Sequence, residues 1–128
     1  MSDRARERTN AIAKVVAAAR AILTYQVGLS VGAARMRGAV SRLQDFETVE
    51  CTVFNEYMNA VSNLPTGSER LEWSTDVLKE KDKELERINT LFRDRMFDSA
   101  RELLERFGRE ADEVRKRDRT AGPKPRTA

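Results

Sequence analysis

A chain of 128 residues, 40% hydrophobic and 35% charged, has enough apolar side chain for one core and too much for a chain disordered throughout. It holds no histidine and one cysteine, which excludes a Ser-His-Asp triad, a Cys-His pair and a zinc site of ordinary ligands. The net charge of +3 conceals a tail: residues 115–128 carry six bases and one acid, so residues 1–114 sum to −2.

No period-two alternation lasts beyond a few residues, and apolar positions return at three and four, so every long segment reads as helix. The expected fold class is all-α. One domain over residues 1–117 forms a bundle of four main helices with a long C-terminal helix, followed by a short disordered basic tail over 118–128. That tail has proline and glycine and no large apolar residue to repay ordering.

Helix 1 is expected from Asp3 to Thr24, with Ala5, Ile12, Val15, Val16, Ala19, Ile22 and Leu23 on its core face. Asp3 and Glu7 stand where a targeting peptide avoids acids, so the segment reads as mature protein. Ala13, Ala17 and Ala21 make a small-residue strip on the opposite side, where a solvated helix more often carries charge. Either they are simply good helix formers or a second surface packs there. "YQVGLS" then supplies a glycine stop and a Ser30 cap for helix 2, Val31 to Gln44. Leu29, Gly32, Met36, Ala39, Val40 and Leu43 share one face, and Arg35 and Arg42 lie opposite with Gly38 between them. Gly32 and Gly38 each cost a helix ~1 kcal/mol relative to alanine; close approach of another helix would offset that.

Helix 3, Phe46 to Asn63, carries the cleanest stripe: Phe46, Val49, Val53, Tyr57, Val61 and Leu64, with Phe54 beside it. Glu50 falls within the angular range of that stripe, so its carboxylate either reaches water or pairs with an arginine. Cys51 sits in "VECTVF" and reads as a buried, inert thiol in a reduced, cytoplasmic setting. Pro65 ends helix 3. In "NLPTGSERLEWSTDVL", Ser74 is a good N-cap, with Trp73 and Leu78 at the spacing of a hydrophobic staple. This connection is long for a helical bundle, and Arg70 and Trp73 are residue types that dominate binding hot spots.

Helix 4 is expected from Thr75 to Arg117, with Leu78, Leu85, Ile88, Phe92, Met96, Leu103, Phe107 and Val114 as its stripe, widened by Phe97, Ala100 and Leu104. It would extend ~60 Å, so it either breaks near Gly108 or projects. Glu102 with Arg106, and Glu105 with Arg109, have the favourable i,i+4 order of a solvated face.

The order "GLSVGAARM", "FNEY", "LPTGSERLEW" resembles small all-helical bacterial proteins of uncharacterised function, some of a partner-binding or immunity type. The resemblance points to Gly32, Ala33, Arg35, Glu56, Leu64, Pro65, Gly67, Arg70 and Trp73 and implies no activity.

The expected function is a non-catalytic protein–protein interaction module that binds, scaffolds or inhibits a partner. Arg70, Trp73, Phe97 and Leu104 are the partner-binding candidates, the last two at a homodimer contact. No phosphate-cradling glycine loop is present, no cofactor or metal is expected, and Glu47, Glu50 and Glu56 are the carboxylates that leave a carboxylate-only metal or acid–base site open. The longest charge-free run, Ala21 to Ala34, is short of the ~20 residues of a membrane span. The alternative is nucleic-acid association through Arg35, Arg42, Arg115, Lys116 and Arg117.

Overall fold

Ser2 starts α1 (Asp3–Leu23): its hydroxyl accepts the Ala5 amide at 3.1 Å, and Asp3 places a carboxylate in the first turn, both favourable at the positive end of a helix. The computed structural model describes residues 2–64 and 73–121, with side chains to Arg117. Three further helices follow, α2 (Leu29–Leu43), α3 (Thr52–Val61) and α4 (Thr75–Ala121), and no strand occurs among the described residues. The fold is an all-α bundle. No helix among the described residues is long and apolar enough to cross a membrane.

The stop after α1 differs from the expected glycine. Tyr25 takes φ 60°, while the Gln26 amide bonds to the Ala21 carbonyl at 3.0 Å and the Tyr25 amide to Ile22 at 3.2 Å. This is a Schellman motif with tyrosine at the left-handed position that glycine usually fills. The left-handed backbone costs about 1–2 kcal/mol, and the Tyr25 ring recovers about 0.5–1.5 kcal/mol against Phe97, ring centroids 5.5 Å apart. Gly28 instead precedes α2 with extended backbone, φ −70° and ψ 168°. Ser30 is no cap: it is in α2 and bonds to Tyr57.

α1 packs on both α2 and α4, and α3 spans α2 and α4 to close the ring. Ile12, Val15, Val16, Ile22, Met36, Val40, Leu43, Phe54, Tyr57 and Met96 are at most 1–2% exposed, each large side chain contributing about 1.5–3 kcal/mol by burial. Gly32 lets α1 and α2 meet, since a Cβ there would lie 2.5 Å from Cγ1 of Ile22.

α3 begins at Thr52, not Phe46. The Phe46 and Glu47 amides both bond back to the Leu43 carbonyl at 2.9 Å, which finishes α2, and the Gln44 side chain donates to the Val49 carbonyl at 3.0 Å. Val49 and Cys51 are therefore buried from non-helical backbone. Glu50 is exposed, and of the alternatives open to it the structure has the carboxylate reaching water.

α4 starts as expected, with the Ser74 hydroxyl accepting the Val77 amide at 3.3 Å. It runs unbroken through Gly108 for 47 residues, about 70 Å. Phe107, Gly108 and Ala111 are buried against the bundle, and that packing outweighs the ~1 kcal/mol helix cost of one glycine. The helix also continues through Ala121, into the span expected as tail, because the first breakers in the sequence are Gly122 and Pro123. Residues 122–128 lie outside the described residues.

Candidate interaction groove

α1 and α2 run antiparallel from the turn at Thr24–Gly28, and a groove follows their outer seam. Its upper part, about 360 Å³, has a floor of Ala17, Ala18, Ala34, Gly38 and Ala39 and rims of Lys14, Arg35 and Arg42. The groove continues past Lys14, Ala17 and Arg42 into about 580 Å³ bounded by Ala11, Ala13, Glu7, Asp45 and Phe46. Small side chains make the floor low because α1 and α2 present methyl groups, or hydrogen alone, at successive turns of their facing edges. Of the alanine strip, Ala13 and Ala17 are exposed in this groove, and Ala21 is covered at 7%.

The two glycines of α2 differ. Gly32 is required by the α1 contact, but a Cβ on Gly38 would meet nothing within 4 Å. Packing inside the chain gives no reason for glycine there, in mid-helix, where alanine would be favoured by ~1 kcal/mol.

The charges of the groove are also unspent. Lys14, Arg35 and Arg42 are exposed and make no ion pair or hydrogen bond with any described residue. Several arginines elsewhere in the bundle are engaged, whereas Arg6, Arg87, Arg93 and Arg109 also make no ion pair or hydrogen bond with any described residue. Arg8 donates to Glu110 and Glu47, each at 2.9 Å, and these bonds, Glu110 first, raise its pKa above the ordinary arginine value. Arg106 also reaches Glu47, at 3.8 Å, in place of the expected pair with Glu102. Arg20 holds Asp112 at 2.9 Å, Arg95 holds Glu56 at 2.8 Å, and Arg37 donates to Asn55 at 2.8 Å. Arg4 closes the lower end of the groove, donating to the Asp45 carbonyl at 3.1 Å with its guanidinium 4.7 Å above Phe46.

The buried polar groups are likewise satisfied. The Tyr57 hydroxyl donates to Asn89 Oδ1 and accepts from Ser30, 2.9 Å away, an order fixed because a phenol has one proton to give. Burial pushes the Tyr57 pKa up, and the Ser30 bond partly opposes it. Cys51, 7% exposed, donates to Asn55 at 3.8 Å, and burial raises its thiol pKa. No group of three or more Cys, Asp or Glu residues that could hold a metal occurs among the described residues; Glu47 and Glu56 are spent on arginines of different regions.

The structure brings Arg35 and Arg42 together and adds Lys14, which sequence reasoning missed. Its signal was available: it is the single charge in "AIAKVVAAA", beside the alanine strip. Lys116 lines a separate depression with Arg20, Asp112 and Glu113, so the bases on the last turns of α4, Arg115 and Arg117 among them, do not continue the groove. Trp73 is 38% exposed before α4, and Arg70 lies outside the described residues. Phe97 is only 8% exposed, beneath Tyr25, and Leu104 packs half-buried on the core. Phe97 therefore spends its surface on its own domain, whereas Leu104 keeps part of its side chain open in the depression that Lys116 lines.

No protein-family model, curated protein or solved structure matches the chain.

Proposed function

We propose that this chain is a non-catalytic protein–protein interaction module, acting in a reducing, cytoplasmic setting, and that it receives its partner on the α1–α2 groove. The observation that carries this reading is the combination of three cations left unpaired by the described residues and a glycine where a Cβ would meet nothing within 4 Å, all on one groove. Unpaired charge and a low floor contribute little to the bundle, and both suit close contact with another chain. The test is affinity capture from the native host with the wild type and with Lys14→Glu/Arg35→Glu/Arg42→Glu. A partner held by the first and lost by the second, at equal helicity, supports the reading. A partner set unchanged by the charge reversal sinks it.

Nucleic-acid association is the second reading, favoured by the same unpaired cations. Its mark is an affinity falling steeply and linearly in log salt, with further loss on deleting residues 115–128. Within the first reading, self-association would use the first half of α4, a surface supported by the exposure of Leu91 at 69% and Val77 at 39% beyond Trp73. Light scattering at two concentrations checks it, a monomer mass at both rejecting a dimer.

A further inference from the structure

Two edges of the groove set a charge pattern that its occupant must answer. Arg35 and Arg42 stand seven positions apart on α2, on one side of the helix and about 10.5 Å apart along its axis. Lys14 faces them from α1, across the floor made by Ala17, Ala34 and Gly38. This upper part has no acidic side chain in its lining, and none of its cations is neutralised by a described residue. The floor offers methyl groups and no side-chain hydrogen-bond donor. A nucleic-acid strand would gain phosphate contacts at the rims and find neither polar groups nor free aromatic rings beneath to hold sugars or bases. A helix fits better. Small floor residues let its axis approach closely, side chains lying in the groove between two helices. Carboxylates at its i and i+7 positions would meet Arg42 and Arg35, and one on its other flank would meet Lys14.

We propose that the occupant of the α1–α2 groove is an acidic amphipathic α-helix of a partner protein, seated by a small-residue seam on Ala17, Ala34 and Gly38 and fixed by carboxylates on Lys14, Arg35 and Arg42. The inference rests on the proposed interaction function and specifies the partner's chemistry. Only a structured helix presents carboxylates at fixed two-turn spacing, so the site distinguishes a helix from an unstructured acidic segment of equal charge.

The test uses the full chain and three probes: an alanine-rich helical peptide with glutamates at i and i+7 and one on the opposite flank, a scramble of the same composition, and a short double-stranded DNA. Amide chemical shifts are followed by NMR. The helical peptide is expected to shift Lys14, Ala17, Ala34, Arg35, Gly38 and Arg42. Its affinity should fall about tenfold or more in Lys14→Glu/Arg35→Glu/Arg42→Glu, and binding should return to that variant with a peptide carrying lysines for the glutamates. Equal binding of the scramble, stronger shifts of the same residues with DNA, or no shift with the peptide at millimolar concentration each overturn the proposal. Failure here with a host partner still lost on charge reversal would reject the acidic helix and leave the interaction function standing. Loss of both would reject the two together.

Discussion

Gly32 and Gly38 are chemically alike and six residues apart on one helix, yet their surroundings are opposite: one is pressed by a neighbour and the other open. At Gly32 a methyl group would press into Ile22, itself 1% exposed and branched at Cβ, so it has little freedom to yield. Overpacking of about 1–3 kcal/mol exceeds the ~1 kcal/mol gained in helix propensity. Gly32→Ala is expected to lower stability by about 1–2 kcal/mol, checked by urea unfolding; a stabilised variant would show that α1 can move away freely. Both glycines were visible in the sequence as costs needing a reason, but a wheel cannot say which one faces a neighbour. Cys51 is a second case settled by its surroundings. Burial raises its thiol pKa and hides the sulfur, so a thiol-specific reagent at pH 8 should modify it at least about tenfold more slowly in the folded chain than in urea. Equal rates would contradict the burial.

The helices themselves were largely legible, since α1 and α2 follow the apolar period and the start of α4 follows its Ser74 cap. Their ends were less so, for identifiable reasons. The α1 stop rests on Tyr25, a residue that nothing in local propensity marks for left-handed backbone. The start of α3 was misplaced because Phe46 and Val49 fit a helical spacing while their backbone serves the end of α2 and an extended segment. Continuity of α4 through Gly108 depends on packing that only tertiary structure supplies. One polar chain then ties three helices: Ser30 on α2, Tyr57 on α3 and Asn89 on α4. Because burial penalises the phenolate, folded Tyr57 keeps its proton after the unfolded chain has released it near pH 10. Its contribution is whole below that pH and is lost as pH rises through the folded value. Tyr57→Phe should cost about 1 kcal/mol at neutral pH and should soften the decline in stability above pH 10. An unchanged alkaline decline in the variant would show that Tyr57 does not govern it.

Across the whole molecule, a few ionic contacts tie other helices to α4. Arg8, Glu47, Glu110 and Arg106 join the start of α1 and the α2–α3 segment to α4; Arg20 with Asp112, and Arg95 with Glu56, fix the same long helix at other points. The α1–α2 groove, by contrast, gathers three cations that bind nothing described around a glycine that makes room for nothing described, although single cations such as Arg6, Arg87, Arg93 and Arg109 are also without a described partner. The sequence showed Arg35, Arg42 and the alanine strip as separate features of two helices, and only antiparallel packing put them with Lys14 on one groove. The central claim is that these residues are held for a partner and not for the fold. Thermal unfolding of the quadruple variant Lys14→Gln/Arg35→Gln/Gly38→Ala/Arg42→Gln tests it most directly. Exposed substitutions that break no bond cost within about 0.5 kcal/mol each, and alanine at position 38 returns up to ~1 kcal/mol, so the midpoint should stay level or rise by a few degrees. A fall of more than about 1 kcal/mol in stability would mean that the bundle itself depends on the groove, and would contradict the claim.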